Sequence, residues 1–203
     1  MPGITAIFSD VGGVLGSNGW DHQSRRKAAD LFHLDAAEFE ERHARLADAF
    51  ECGKLSLDDY LRQTVFHRER PFTLPEFRDF MFSESQPFPE SLALMQEIAA
   101  SRRYFMATLN NESRELNLCR IERLGLRRCF SVFFSSCFLG VRKPDPGIYR
   151  LAIEISQRRP GECLFIDDRA ANVEAARQCG MRGIRFQNVG QLRRDLTGEP
   201  CGL

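Results

Sequence analysis

Asp10-Val11-Gly12-Gly13-Val14-Leu15 is the stretch on which the reading of this chain turns. It follows the run Ile4 to Phe8, which is short, apolar and of a composition that suits a strand buried in a parallel sheet. Asp10 therefore falls at the C-terminal end of a strand, the edge of an open α/β sheet where ligands bind. Gly12 and Gly13 let the backbone turn sharply there and come close to a ligand or a metal. A carboxylate so placed can be a nucleophile, a metal ligand or both. Strand-Asp-Gly-Gly also describes an ordinary turn, so the chemistry depends on what the rest of the chain brings to the same edge.

Immediately downstream, Gly16-Ser17-Asn18-Gly19 is a loop signature, and from there to about Pro87 the pattern is helical without strands. One helix is expected from about Ser24 to Leu34. A second opens at Asp35 with Glu38 three residues on, a capping-box pattern, carries Phe39, Leu46 and Phe50, and stops at Gly53. Ser56 opens a third and Thr73-Leu74-Pro75-Glu76 a fourth. Beyond Pro87 and Pro89, helices and strands alternate. Strands are expected at Tyr104 to Thr108, Ser131 to Ser135, Cys163 to Ile166 and Gly183 to Phe186. In the helix after Lys143-Pro144-Asp145-Pro146, Ile148, Leu151, Ala152 and Ile155 are expected to form the buried stripe. Alternation of this kind implies an α/β fold, a parallel sheet with helices on both faces, carrying a small all-helical unit inserted after the first strand. The expected division is 1–15 with 88–203 as the core and 16–87 as the insertion.

At 203 residues the chain can bury a sizeable core, and 43% apolar with 28% charged residues is the balance of a water-soluble globular protein. The formal net charge is zero, which gives no global electrostatic case for nucleic acid or an anionic membrane. Seven cysteines without a C-x-x-C pair make neither a disulfide nor a zinc framework and read as small buried residues in a reducing compartment. With no leader-like N-terminus and no run long enough to span a bilayer, a cytoplasmic protein is expected. The four histidines, His22, His33, His43 and His67, all lie in the first third of the chain, away from the later motif segments. This argues against Ser-His-Asp or Cys-His catalysis, and exposed or capping histidines are expected.

Strands of a parallel sheet point their C-terminal ends the same way, so Asp10, Asn110 and the pair Asp167-Asp168 converge on one edge, and Lys143, just before a helix, can reach it. Adjacent carboxylates suit a hard divalent cation such as Mg2+, which joins phosphate oxygens to a protein. Lysine and asparagine can neutralise and orient the other phosphate oxygens while Asp10 attacks phosphorus in line. Lys143 alone reads as a surface lysine and Asn110-Asn111 alone as a turn. Two adjacent acids after an apolar strand are harder to dismiss, since they repel unless a cation or donors offset them.

In these residues the sequence resembles the haloacid dehalogenase superfamily, in the branch with a helical cap between its first and second motifs. The resemblance rests on Phe8-Ser9-Asp10-Val11-Gly12-Gly13-Val14, Leu109-Asn110-Asn111, Lys143-Pro144, and Phe165-Ile166-Asp167-Asp168 with Asn172. It implies a Rossmann-like core and Asp10 as a nucleophile that becomes an aspartyl-phosphate. It also implies Mg2+ held by Asp10, the Gly12 carbonyl and Asp168 with support from Asp167, and a phosphoryl group held by Asn110, Asn111 and Lys143. Residues 16–87 would close over a small phosphorylated metabolite.

Two positions depart from the superfamily's pattern. Phosphatases of this kind usually carry a second aspartate, a proton donor and acceptor, where this chain has Gly12. Asp21, His22 and Glu112 are the nearby titratable candidates to replace it. Asn110 stands where Ser or Thr is usual, and an amide can still donate to a phosphate oxygen. The expected activity is a Mg2+-dependent phosphatase. The alternatives are a non-catalytic binder of a phosphorylated ligand or partner, for which Gly12 speaks, and a metal-free dehalogenase, against which the paired acids speak.

Overall fold

The computed structural model describes residues 3–198; Cys201 and the outer ends of the expected core lie outside the described residues. Five strands, β1 Ala6–Ser9, β2 Phe105–Asn110, β3 Val132–Ser135, β4 Cys163–Asp167 and β5 Arg182–Arg185, form one sheet in the order β3-β2-β1-β4-β5. Every neighbouring pair is parallel. The chain lays β2 and β3 outward from β1, then crosses back to place β4 on the other side of β1. The loops after β1 and β4 therefore flank the point where strand order reverses, the crevice in which such sheets bind ligands.

Both faces of the sheet are buried, so alternate residues of each strand feed separate apolar layers. Ile7, Met106 and Leu164 pack with Leu92, Met95 and Ile98 of α5 (Pro89–Ala100), Ile121 of α6 (Arg114–Arg123), and Leu192 and Leu196 of α10 (Val189–Thr197). Ala6, Phe8, Ala107 and Phe165 face the opposite layer, with Ile148, Tyr149 and Ala152 of α8 (Pro146–Ser156) and Ala176 of α9 (Ala170–Gln178). A single turn, α7 (Ser136–Leu139), follows β3.

Between β1 and α5 stand α1 His22–Leu31, α2 Ala36–Glu51, α3 Leu57–Thr64 and α4 Leu74–Ser83. Each begins at a side chain that accepts from a backbone N–H: Asp21 from Ser24, Asp35 from Glu38, Ser56 from Asp59, and Thr73 from Glu76 in a full capping box. Their common core is aromatic. Phe50 stacks on Tyr60 at 4.1 Å between ring centroids, and Phe77 meets the edge of Trp20 at 6.0 Å. Trp20 Nε1 donates to the Tyr60 hydroxyl at 2.9 Å, which satisfies the polar end of the buried indole.

Two adjacent segments join this helical unit to the sheet. Ser17 N donates to the Gln86 carbonyl at 2.8 Å and Phe88 N to the Leu15 carbonyl at 2.9 Å. The unit also rests on α7: Ser136 Oγ donates to the Glu51 carbonyl at 2.6 Å, and a Cβ at Gly53 would stand 2.2 Å from the Cys137 carbonyl oxygen. With φ of +70°, Gly53 supplies both the left-handed turn and the clearance.

Two features differ from the sequence reading. In α8 the buried residues are Ile148, Tyr149, Ala152 and Ile153, while Ile155 is 56% exposed. Tyr149 turns the helix: its ring packs on Phe165 at 5.5 Å and its hydroxyl donates to the Asn172 carbonyl at 2.9 Å. The sequence reading also lacks α7 and α10. No helix among the described residues is long and apolar enough to cross a membrane.

Candidate active site

β1 ends at Ser9, and the Asp10 N–H donates to the Ile166 carbonyl at 2.8 Å, so the chain leaves the sheet with its carboxylate at the crevice between β1 and β4. Asp10 Oδ1 accepts from the Val11 N–H at 2.7 Å and lies 3.0 Å from Lys143 Nζ. The same ammonium donates to Asp167 Oδ2 at 2.6 Å. Lys143 is 2% exposed and Asp167 fully buried, so this is a desolvated ion cluster. Such a cluster persists only where hydrogen bonds complete it. They are present: Asn172 Nδ2 donates to both Asp167 oxygens, at 3.1 and 3.0 Å, and the Arg169 N–H to Oδ1 at 2.8 Å.

Burial pushes the Asp10 carboxyl up to about 7; Lys143 opposes the rise and Asp167 adds to it. Burial alone would lower the Lys143 ammonium, yet Asp10 and Asp167 together raise it above its ordinary value. Lys143 is held as a cation.

Lys143 is aimed by Asn111. The Asn111 Nδ2 donates to the Lys143 carbonyl at 2.9 Å, and its Oδ1 accepts from the Lys143 N–H at 2.8 Å. The carboxamide expected on phosphate is thus engaged in clamping the lysine loop. Asn110 Nδ2 donates to Asn117 Oδ1 at 3.0 Å, and Ser135 Oγ donates to Asn110 Oδ1 at 2.9 Å. Asn110 lines the cavity over this site, and an amide nitrogen carries two hydrogens, of which the bond to Asn117 takes one.

Oxygens of Asp10, Asp167 and Asp168 lie within 4.8 Å of one another. Burial, with the neighbouring Asp167, raises the Asp168 carboxyl. Its Oδ1 is buried without a hydrogen-bond partner among the described residues. An orphaned buried carboxylate oxygen beside two further acids is the donor set a hard divalent cation takes, so the residues fit Mg2+. Gly13 admits this arrangement. At φ +72° its backbone passes so close that a Cβ would stand 2.5 Å from Asp168 Oδ2.

A cavity of about 340 Å³ opens over these groups, bounded on the insertion side by Trp20, Arg25, His43 and Phe50 and on the core side by Arg142 and Arg169. His43 corrects the expectation of exposed or capping histidines. It is half-buried, its Nδ1 is 2.9 Å from the Tyr60 hydroxyl, and burial with the charge of Arg25 pushes it down to about 4. His22 stays at the rim, 3.4 Å from Glu40.

Arg120 and Glu112 also line the cavity. Arg120 is 2% exposed; its Nη2 donates to the Ser17 carbonyl at 2.6 Å, and its Nη1 lies 3.5 Å from Glu112 Oε2. Burial pushes Glu112 up to about 7 against the pull of Arg120. The sequence reading missed Arg120, although a signal exists: it shares the face of α6 that carries Leu116, Asn117 and Ile121, all buried.

A haloacid dehalogenase-like hydrolase profile matches residues 4–180. The chain is 34% identical over 215 residues to phosphatase MT3486 of Mycobacterium tuberculosis, covering 96% of this chain and 94% of that protein. It is 29% identical over 205 residues to flavin mononucleotide hydrolase 1 of Arabidopsis thaliana, covering 90% and 82%. In fold it matches a HAD family enzyme of Bacteroides thetaiotaomicron, solved in complex with magnesium and inorganic phosphate. The TM-score is 0.74 over 94% of this chain and 99% of that one, at 16% identity. Because the profile runs from β1 through the helical insertion to the end of α9, it reaches well beyond any one motif, and the chain belongs to the haloacid dehalogenase-like hydrolases.

Proposed function

We propose that this hydrolase is a Mg2+-dependent phosphatase that releases phosphate from a small phosphorylated metabolite through an aspartyl-phosphate on Asp10. The observation that carries the reading is the convergence of Asp10, Asp167 and Asp168 around a charged Lys143, with one Asp168 oxygen unpartnered among the described residues. A metal-free displacement of halide has no use for that third carboxylate. A mere binding site has no need of a buried nucleophile held 3.0 Å from its lysine.

Asp10 attacks phosphorus in line, the ester oxygen departs with a proton, and water then attacks phosphorus to release phosphate and restore the carboxylate. Lys143 draws the phosphoryl group in and steadies its charge, Asn111 aims Lys143, and Asn110 donates its free amide hydrogen. Asp10, Asp168 and the Gly12 carbonyl would hold Mg2+, with Asp167 bound chiefly to Lys143 and Asn172 and supporting from behind. When bound, Mg2+ neutralises charge on the phosphoryl oxygens. Residues 16–87 act as the cap, and the paired segments at Ser17 and Gln86 are where it would hinge on the core. A cavity of about 340 Å³ is at the small end of ligand sites, which supports a small ester. The free cysteines, Cys52, Cys119, Cys129, Cys137, Cys163 and Cys179, support a reducing, cytoplasmic setting.

A panel of phosphate esters, assayed with and without Mg2+, tests the proposal. Turnover that needs Mg2+ and disappears in Asp10→Asn is expected. Halide release from a haloacid without metal would overturn it, as would failure to hydrolyse any ester.

A further inference from the structure

We infer that Glu112, set against Arg120, is the proton donor and acceptor that takes the place of the acid missing at Gly12. The inference rests on the phosphatase reading and adds a residue to it. A Cβ built on Gly12 would meet Asn18 first, at 3.2 Å from its Oδ1, and would stand 3.8 Å from Arg120 Nη2, an ordinary van der Waals distance. That same guanidinium is 3.5 Å from Glu112 Oε2. Gly19 passes close to the same pair: a Cβ there would lie 3.1 Å from Glu112 Oε2 and 2.2 Å from Arg120 Nη1. Gly12, Arg120 and Glu112 line one cavity with Asp10, and the carboxyl there is delivered from the loop after β2.

The pair is built to stay there. The Glu112 N–H donates to Ser136 Oγ at 3.0 Å, and Oε1 accepts from the Ser113 N–H at 3.0 Å, which fixes the backbone and one oxygen. Oε2 faces Arg120, whose Nε and Nη1 make no hydrogen bond among the described residues. A buried guanidinium with two nitrogens unpartnered among the described residues thus stands beside Glu112 on the cavity wall. The other charged or titratable groups facing Glu112 are Glu51 of α2, Cys137 of α7 and Cys119 of α6. Burial keeps Glu112 protonated to about 7, so it can give a proton near neutrality. Neither other candidate is equivalent. Asp21 caps α1 through the Ser24 N–H at 2.9 Å, and His22 is on the rim beside Glu40.

As the Asp10–phosphorus bond forms and the phosphorus–ester oxygen bond breaks, the Glu112 proton passes to the departing oxygen. The resulting carboxylate then takes a proton from water while the water oxygen attacks phosphorus. The phosphorus–Asp10 bond breaks, phosphate leaves and Glu112 is again protonated.

Glu112→Gln separates the two half-reactions. Its kcat/KM on an alkyl phosphate such as glycerol phosphate should fall about 10²–10³-fold. The first-turnover release of nitrophenolate from p-nitrophenyl phosphate, whose leaving group needs no proton, should change less than about tenfold. The fall of kcat/KM on the alkyl ester above neutral pH should disappear in the variant. An alkyl-to-aryl ratio and a pH profile equal to wild type would overturn the inference. If Glu112→Gln does not fold, Glu112→Asp, which draws the carboxyl back by one methylene, is read by the same ratio, and an unchanged ratio overturns it equally. A wild type that hydrolyses no phosphate ester overturns the phosphatase reading together with this inference. Normal wild-type turnover with an unmoved ratio overturns the role of Glu112 alone.

Discussion

The edge of the sheet and the interior of the helical insertion are both dry, but for opposite purposes. At the edge, Asp10, Lys143, Asp167, Asn110, Asn172 and Arg120 are all at most 8% exposed. Each buried charge there sheds its hydration, and the hydrogen bonds around it roughly offset that cost. In the insertion the buried aromatic residues are Trp20, Phe39, Phe50, Tyr60 and Phe77, and the indole N–H of Trp20 is satisfied by the Tyr60 hydroxyl. Burying a ring of that size stabilises by about 1.5–3 kcal/mol relative to leaving it exposed. One region holds reactive groups in place at little net gain in stability; the other gains stability and supplies one wall of the cavity. Substitutions of Asp10 and of Phe77 should therefore divide between loss of turnover and loss of fold.

The largest effect expected is that of Asp10→Asn, which should lower kcat at least ~10⁴-fold. Its melting temperature should be unchanged or higher, because the amide relieves repulsion with Asp167 while Lys143 keeps that partner. A variant that retains turnover, or one that unfolds, would break the division at its centre. Phe77→Ala is the converse. The ring is fully buried among Trp20, Phe32, Phe39 and Phe72, and truncation should cost about 3–5 kcal/mol in urea unfolding. The kcat of the folded fraction should stay near wild type.

Asp167 and Asp168 sharpen the comparison within one dipeptide. Asp168→Ala should weaken Mg2+ binding by at least ~10-fold in calorimetry, with little change in metal-free stability, since its Oδ1 has no partner to lose among the described residues. Asp167→Ala should destabilise the metal-free protein, because it strips Lys143, Asn172 and the Arg169 N–H of their acceptor, and should weaken Mg2+ less. Equal Mg2+ affinities in the two variants would dissolve the distinction.

The smallest effect concerns His43, which meets Tyr60 of the aromatic core. Its folded value of about 4 lies below the ordinary 6.5, so between those values the unfolded chain binds the proton the folded protein excludes. Stability from this group is present above about pH 6.5 and is lost as the pH falls toward 4. His43→Gln, which can keep a hydrogen bond to Tyr60 without titrating, should narrow the gap between melting temperatures at pH 5 and pH 7.5. An unchanged gap would show that other groups govern acid sensitivity.

Much of the scaffold was legible because it is written in local patterns. The run Ile4 to Phe8 reads as a buried strand by itself, and within it Ala6, Ile7 and Phe8 alternate between two apolar layers. Asp35 with Glu38, Ser56 with Asp59 and Thr73 with Glu76 announce helix starts because a cap is made within three residues of its own position. Asp10, Asn110, Lys143 and Asp167-Asp168 were locatable at one sheet edge because parallel strands share a direction. The helix α10 was within reach too: Asn188 caps it, and Leu192 and Leu196 are spaced for one face. In α8 the stripe was misplaced because Tyr149 takes its position from Phe165 and Asn172, on other elements.

By itself, then, the sequence determined that a carboxylate stands at the end of the first strand, that lysine and two acids follow in order, and that a helical unit interrupts the sheet. Those features depend on periodicity, caps and strand direction, which are properties of neighbouring residues. Only the tertiary structure decided that Asn111 clamps Lys143, that Asp167 belongs to the lysine while an oxygen of Asp168 has no partner among the described residues, and that Arg120 stands beside Glu112 on the cavity wall. Each depends on distances of a few ångströms between groups on separate turns or separate elements, and such distances are set by how those elements pack.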